Sequence, residues 1–287
     1  MDLESIKALY VQGRYLASFR EASLAIEGAV EDVRSELQLL AGRAAFKLGF
    51  WEEARTYFAA VSEAKTASLS IAGRFELARV LIETGEVCEA EAILLDLLAD
   101  DMHQYPTLHA RSLHNLGWVY EKRMQYGAAL RSYKHASDEH LKAGRYREAL
   151  FSLQNAAWLA LAEEQPEAGT LVAQAKALLP YASDTLRVHQ VALDALDLLR
   201  RGDRESAVET AEELLQPDHR VATDWDRAIA CYVVARAYAD QRYYVVADRF
   251  ADMCSFYAQK AQDYRIFKMA GILKNFIRSC EGKEVIT

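Results

Sequence analysis

The sequence predicts an all-α fold: a right-handed superhelical solenoid of about seven helical hairpins, followed by a C-terminal capping helix. The first observation behind this prediction is an internal repeat. The segment SLHNLGWVYEKRMQYGAAL (112–130) aligns on SLQNAAWLALAEEQPEAGT (152–170), and Ser, Leu, Asn and Trp recur within the first seven places. A repeat of this length is typical of stacked helical hairpins, because each hairpin buries its apolar face against its neighbours.

Short breaks in the helical pattern supply the second observation. They recur at residues 13, 49, 85, 124, 164, 202 and 242, so that successive breaks are 36 to 40 residues apart. Each interval has room for two helices of about 15 residues, which make one helix–turn–helix hairpin. The sequence therefore predicts a single repeat array over residues 1–287, with the capping helix at 263–281 and hairpins at about 2–28, 30–63, 66–101, 105–142, 146–179, 183–215 and 221–261.

The prolines agree with these boundaries, because proline disrupts a helix interior. Pro106, Pro180 and Pro217 fall between predicted hairpins, and Pro166 falls at a turn within one. Asp263 can cap the last helix at its N-terminus. One side of that helix is apolar, as expected for a helix that covers the last open interface of a repeat array. Its other side carries the basic residues Arg265, Lys268, Lys274 and Arg278.

Charge and cysteine usage argue against two classes of site. The net charge of −8 does not suit a nucleic-acid-binding protein, since phosphate contacts need a clustered basic surface. The four cysteines are far apart in sequence and form no CxxC pair. Neither a disulfide framework nor a metal site is therefore expected.

Targeting and catalytic signals are also missing from the sequence. The chain begins with an acidic helical segment, and its longest apolar run (228–235) is too short to span a bilayer. It has no HExxH motif, no nucleophile elbow and no glycine-rich phosphate loop. The sequence thus predicts a cytoplasmic protein that is not an enzyme, needs no cofactor and contacts no membrane.

The spacing of the recurring glycine, aromatic and alanine positions resembles that of tetratricopeptide repeats. The closest copy of that pattern is Leu116-Gly117, Tyr120, Tyr126, Ala129, Tyr133 and Ala136. Repeats longer than the plain 34 residues, with Asn before the Leu-Gly pair, resemble kinesin light chains and the bacterial peptide-pheromone receptors of the Rap, NprR and PlcR type. In those families the resemblance implies that a ladder of asparagines on the inner helices holds a peptide backbone. Only Asn115 and Asn155 occupy that place here, and the equivalent places hold Leu40, Glu76, Leu193 and Val233.

A second face of the inner helices carries chemistry that packing within a hairpin does not require. In hairpin four, Arg111, Asn115, Trp118 and Lys122 cluster about 170° away from the packing residues, at 100° per residue. In a right-handed stack the first helices of successive hairpins line a concave groove, where equivalent places align. The residues predicted to line it are Arg43, Lys47, Arg79, Arg111, His114, Asn115, Trp118, Lys122, Gln154, Asn155, Trp158, His189, Tyr232 and Arg236.

Such a groove suits an extended peptide. Side-chain amides match the donor and acceptor of a peptide unit, Trp offers flat apolar area, and Arg or Lys selects acidic side chains or a terminal carboxylate. We therefore expect the groove from Arg79 to Arg236 to bind a peptide or protein tail of net negative charge. In the alternative interpretation, Trp118 and Trp158 pack between hairpins and the basic residues pair with neighbouring acids such as Glu76.

Three functions follow from this surface. The first is a non-enzymatic adaptor or regulatory module that binds a protein or peptide in its concave groove. The second is a receptor for a short signalling peptide that acts through a separate effector. The third is a structural subunit that self-assembles, with a possible homodimer through the C-terminal hairpin (221–261).

Overall fold

A computed structural model describes residues 2–99, 104–216 and 219–284, with side chains described up to residue 280. This part of the chain holds no strand, and the predicted all-α class is confirmed. Its fifteen α-helices are joined by short turns, one of which (Leu179–Tyr181) is a 3-10 turn. The helices α1 to α15 are Leu3–Val11, Tyr15–Ile26, Glu31–Leu48, Trp51–Ser62, Ala67–Thr84, Val87–Ala99, Pro106–Lys122, Tyr126–Lys142, Tyr146–Ala162, Ala168–Ala177, Asp184–Arg200, Arg204–Leu215, Asp224–Asp240, Tyr244–Lys260 and Tyr264–Glu284.

Residues with left-handed backbone conformation mark the ends of the odd-numbered helices α1 to α13. Each of the seven predicted breaks coincides with a residue of positive φ: Gly13, Gly49, Gly85, Met124, Glu164, Gly202 and Arg242. Such a residue turns the chain out of the helix, and glycine does so without the steric penalty that a Cβ brings. Residue 217 and the predicted end of the third hairpin at residue 101 lie outside the described residues.

Small residues let neighbouring helices approach closely. The α7–α8 pair packs the Tyr133 ring directly over Gly117, where a Cβ would lie 2.7 Å from a ring carbon. At Gly73 on α5, a Cβ would lie 2.6 Å from the backbone nitrogen of Ser62 at the end of α4. Consecutive odd-numbered helices also contact each other, from α1 to α3, α5 and α7, and again from α9 to α11, α13 and α15. Within each of these two sets the odd-numbered helices therefore form a layer, and the even-numbered helices of the same set pack against it.

The chain divides into two compact units, Met1–Gly144 (unit 1) and Arg145–Thr287 (unit 2). Unit 1 contains α1 to α8, and unit 2 contains α9 to α15. In each unit the core consists mainly of buried alanine and leucine, as a closely packed helical layer requires. None of the helices in the described residues is long and apolar enough to cross a membrane.

Candidate functional site

Three of the predicted binding arginines meet at one buried carboxylate in unit 1. Glu76 on α5 is only 2% exposed, and its Oε1 accepts a hydrogen bond from Arg43 Nε on α3 at 2.9 Å. Arg111 Nη2 on α7 lies 3.9 Å from the same oxygen, and Arg79 Nη1 donates to Oε2. Because α3, α5 and α7 contact each other in order, residues 33 to 35 positions apart are brought together. These four residues are called the arginine cluster below.

Glu76 stays ionised because of the arginines around it. Burial by itself raises the pKa of the carboxyl, but the positive charges of Arg79, Arg43 and Arg111 outweigh burial, so that the pKa lies below its ordinary value. A buried carboxylate is tolerated when it is paired and hydrogen-bonded in this way. Within the cluster, three positive charges face one negative charge.

Aromatic rings hold two of these arginines in place. The guanidinium carbon of Arg79 lies 4.3 Å from the centre of the Phe46 ring on α3, and that of Arg111 lies 4.4 Å from the Phe75 ring on α5. Each arginine thus stacks on an aromatic ring of the preceding odd-numbered helix, a favourable cation–π geometry. The side chains of Arg43, Arg79 and Arg111 are 36%, 26% and 38% exposed. The guanidinium groups are therefore ordered by the fold and still reachable from solvent.

The same layer of unit 1 carries further polar and aromatic groups. Lys122 Nζ lies 5.4 Å from the centre of the half-buried Trp118 ring at the end of α7. Lys47 is exposed on α3, one helical turn beyond Arg43. Asn115 is 8% exposed, and within the described residues its Nδ2 has no hydrogen-bond partner. A buried donor without a partner costs about 1–3 kcal/mol, which makes Asn115 a candidate for a ligand contact.

His114 adds no positive charge to this surface at neutral pH. Its ring lies 5.1 Å from that of Tyr133 in the α7–α8 interface. Burial lowers the pKa of His114 to about 3, assisted by the neighbouring charges of His140 and Arg111. The imidazole is therefore neutral at pH 7 and contributes mainly to packing.

In unit 2, two of the predicted binding residues are used in packing between helices. Gln154 is 4% exposed, and its Nε2 donates to the backbone oxygen of Leu186 at 2.8 Å, which joins α9 to α11. Trp158 is also 4% exposed, and its ring meets Trp225 of α13 edge-to-face with 5.5 Å between ring centres. At Trp158 the packing interpretation agrees with the structure, and Gln154, which was expected to line the groove, is also used between helices.

A polar network continues from Trp225 along the odd-numbered helices. His189 Nδ1 contacts Oδ1 of Asp226, a fully buried residue that closes a capping box with Thr223 at the start of α13. The Trp225 ring lies 5.3 Å from the His189 ring, and its Nε1 donates to Asp263 Oδ2 at 3.2 Å. Asp263 also caps α15, because its Oδ1 accepts from the first backbone N–H groups of that helix.

Arg265, at the start of α15, extends this network back to α9. Its guanidinium carbon lies 6.0 Å from the Trp158 ring centre, and its Nη1 lies 3.8 Å from Glu163 Oε1. The side chain is 11% exposed, so Arg265 is largely covered although it belongs to the basic side of the last helix. The sequence pattern of α15 gave no sign of a contact with a helix about 100 residues earlier. The odd-numbered layer of unit 2 is therefore filled by its own side chains around Trp158.

The remaining predicted residues of unit 2 differ in exposure. Asn155 is half-buried on α9, and Tyr232 is half-buried against the apolar cluster of α13 to α15. Arg236 is exposed, bonds to Asp240 Oδ1 at 3.0 Å and lies 6.0 Å from the centre of the Phe276 ring. The described residues hold no group of three His, Cys, Asp or Glu side chains that could bind a metal ion.

The solved structures that are similar to this chain include two helical-repeat proteins. A tetratricopeptide repeat protein from Parabacteroides merdae ATCC 43184 matches with a TM-score of 0.58 at 15% identity, over 93% of this chain and 96% of that chain. The apo form of RapI matches with a TM-score of 0.56 at 12% identity, over 99% of this chain and 97% of that chain. No protein-family model and no curated protein matches the sequence. The resemblance to tetratricopeptide repeats is thus confirmed at the level of the fold.

Proposed function

We propose that the tetratricopeptide-like fold of this chain serves as a non-enzymatic module that binds an acidic peptide or protein tail, and that unit 1 carries the binding surface. The observation that supports this most directly is the arginine cluster. Its three guanidinium groups are brought together by one buried carboxylate, and each arginine side chain is between a quarter and two fifths exposed. An arginine fork recognises a carboxylate with two parallel hydrogen bonds.

Preordering of the arginines favours binding. A mobile arginine loses side-chain entropy when it binds a ligand, whereas Arg79 and Arg111 are already held by Glu76 and by aromatic rings. Neighbouring packed helices lie about 8–10 Å apart, and an extended peptide advances about 3.3 Å per residue. A segment of about six residues would therefore cross from α3 to α7. Its ends would come near the exposed lysines of those helices, Lys47 and Lys122.

The experiment is a fluorescence anisotropy titration with a labelled six-residue peptide rich in glutamate, with its glutamine counterpart as the uncharged probe. We expect the glutamate peptide to bind at least ten-fold more tightly at low salt, and the difference to shrink as salt screens the charges. Arg111→Gln should weaken glutamate-peptide binding about ten-fold. Arg131→Gln, an exposed arginine on α8, is the matched control and should leave it unchanged. Equal affinity of both variants would overturn the proposal for this surface.

The adaptor and receptor interpretations share this surface and differ in the response of the protein. A receptor for a short signalling peptide has to change shape in order to act on a separate effector. Small-angle scattering with and without the glutamate peptide separates the two. Compaction on binding supports the receptor, and an unchanged radius of gyration supports the adaptor.

Self-assembly through the C-terminal hairpin (221–261), extended here to the neighbouring helix α15, is a second candidate function. Large apolar side chains are exposed on these helices: Val245 at 65%, Phe256 at 56%, Tyr264 at 72% and Ile272 at 61%. Large exposed apolar side chains on neighbouring helices are a feature of protein contacts, and a second copy of this chain is the partner that we test. Light scattering across a micromolar concentration series should show a dimer that Phe256→Asp disrupts. A monomer at all concentrations would contradict this candidate.

A further inference from the structure

The turn between α1 and α2 borders an open cleft at the surface of unit 1. Gly13, with a φ of +76°, reverses the chain after α1 and brings the start of α2 beside the end of α3. The cleft has a volume of about 460 Å³, and the side chains that line it are those of Arg14, Tyr15, Leu16, Ala17, Arg20 and Leu48. We call it the first-turn cleft. Sites for small ligands have volumes of about 300–1,000 Å³, so the cleft is large enough for a small molecule or for the end of a peptide.

The two arginines of the first-turn cleft are free to meet a ligand. Within the described residues, neither the Arg14 nor the Arg20 side chain makes an ion pair or a hydrogen bond. No acidic residue lines the cleft. The repeat does not call for arginine at the place of Arg14 either, because the residues that follow the other six predicted breaks are Phe50, Glu86, Gln125, Gln165, Asp203 and Tyr243. Neither the ion pairs of the fold nor the repeat pattern accounts for this pair of charges.

The rest of the lining is mainly apolar. Leu16 is 44% exposed, and together with Leu48 it offers a surface on which a ligand can bury an apolar group. The backbone at Arg14 is held in place, since its N–H donates to the oxygen of Leu9 and its oxygen accepts from the N–H of Ser18, both at 2.9 Å. An arginine fork binds a carboxylate with two parallel hydrogen bonds. Beside an apolar surface, a singly charged carboxylate loses less hydration than a doubly charged phosphate.

Aromatic contacts connect the first-turn cleft to the odd-numbered layer of unit 1. The Tyr15 ring lies 5.3 Å from the ring of Tyr10 on α1, in an edge-to-face arrangement. Burial raises the pKa of Tyr10, and the charge of Arg43 partly offsets this rise, so Tyr10 lies within electrostatic reach of the arginine cluster. A chain that lies along α3 can therefore place its end in the cleft.

From these observations we infer that the first-turn cleft binds a carboxylate that carries an apolar group, with Arg14 and Arg20 on the carboxylate and Leu16 and Leu48 on the apolar group. The C-terminal residue of a peptide and a free organic acid both supply this chemistry. The inference goes beyond the proposed function, because it uses residues other than the arginine cluster and a different feature of the ligand.

The first test localises binding with small probes. The methyl signals of Leu16 and Leu48 are followed by NMR while N-acetyl-leucine, its uncharged amide or acetate is added at matched ionic strength. We expect N-acetyl-leucine to shift both signals at concentrations about five- to ten-fold lower than either the amide, which lacks the charge, or acetate, which lacks the apolar group. Arg14→Gln and Arg20→Gln change exposed side chains and should each remove most of the difference between acid and amide. Arg131→Gln, seven residues after its break as Arg20 is, should preserve it.

The second test identifies the source of the carboxylate. A six-residue peptide of glycine and serine that ends in leucine is titrated with a free C-terminal carboxyl or a C-terminal amide. Tighter binding of the carboxyl form than of N-acetyl-leucine supports a peptide end, and equal affinity supports a free acid. Equal binding of acid and amide in both series, or binding that neither Arg14→Gln nor Arg20→Gln weakens, would overturn the inference. Arg111→Gln, which tests the proposed function, should leave binding of N-acetyl-leucine unchanged, so the two proposals fail separately.

Discussion

Glu76→Gln is the substitution that most directly probes the arginine cluster. It preserves the size of the side chain, which is 2% exposed, and removes the negative charge that the three arginines of the cluster share. The neutral amide still offers one acceptor oxygen, but it no longer offsets the mutual repulsion of three guanidinium groups. We expect a folded protein of lower stability whose unit 1 surface attracts anions more strongly.

The magnitude follows from the burial of the partners. Removing one member of a fully buried ion pair costs about 3–5 kcal/mol. Here the three arginines remain between 26% and 38% exposed, so water recovers part of the lost interaction. We therefore expect a loss of about 2–3 kcal/mol, equivalent to a fall in Tm of about 8 °C for a chain of this size.

Urea denaturation at neutral pH measures this loss, and its dependence on pH identifies the charge as the cause. Because the pKa of Glu76 is lowered in the fold, its stabilising contribution is present above the ordinary value of 4.5 and is lost as the pH falls below it. The difference between wild type and Glu76→Gln should thus be constant near neutrality and shrink in acid. Glu83→Gln, an exposed glutamate on the same helix, is the control and should change stability by less than about 0.5 kcal/mol.

The change in Tm on addition of anions tests whether the variant surface has become more positive. Added phosphate should raise the Tm of Glu76→Gln more than that of wild type, because the variant removes one negative charge from among the arginines. A variant as stable as wild type, with the same response to phosphate and chloride, would refute the assignment of Glu76 as the ionised centre of the cluster.

Further predictions concern the backbone and the α7–α8 interface. Gly73→Ala should lower the free energy of unfolding by about 1–3 kcal/mol, because the added Cβ would press on backbone atoms at the end of α4. At Gly271, in the interior of α15, an added Cβ would meet no atom within 4 Å, so Gly271→Ala should raise the free energy of unfolding by about 0.5–1 kcal/mol; urea denaturation measures both. Arg242→Gly should raise the Tm slightly, because φ is +66° there and glycine adopts that conformation without strain. Because the pKa of His114 is lowered to about 3 in the fold, the free energy of unfolding should fall as the pH drops below about 6.5, by at most about 1.4 kcal/mol per pH unit. His114→Phe should flatten this slope in calorimetric melts. An unchanged slope would contradict the assignment.

The helical layout could be predicted because its signals are local. A break such as Met124 or Glu164 shows itself as an interruption of the apolar pattern, and the structure has positive φ at those positions. Proline positions carry the same local information, as at Pro106, which begins α7. Helix formation and helix ends depend on residues a few positions apart, so the sequence alone is sufficient for them.

The chemistry of the site was less predictable, since it depends on residues that only the fold brings together. In the sequence, Glu76 stands out as a departure from the asparagine pattern and as an acid with which the basic residues could pair. Its role as the common partner of three arginines depends on the contacts of α3, α5 and α7, which the sequence does not show. Trp225 was missed because it lies in the first turn of α13, away from the repeat position of Trp158. The spacing of Thr223 and Asp226, which is that of a capping box, is the signal that could have placed Trp225 at a helix start.

The two units differ as binding surfaces mainly in where their carboxylates lie relative to the basic side chains. In unit 2 the predicted cations have acidic neighbours in the same layer: His189 contacts Asp226, and Arg236 bonds to Asp240. Arg265 then covers Trp158 from the side of α15. In unit 1 the carboxylate that the three arginines share is itself buried, whereas the arginine side chains are partly exposed, so a ligand can reach them from solvent. Adding one acid beside the arginine cluster, as in Asn115→Asp, should therefore weaken binding of the glutamate peptide, whereas the same change at Asn155 in unit 2 should leave it unaffected.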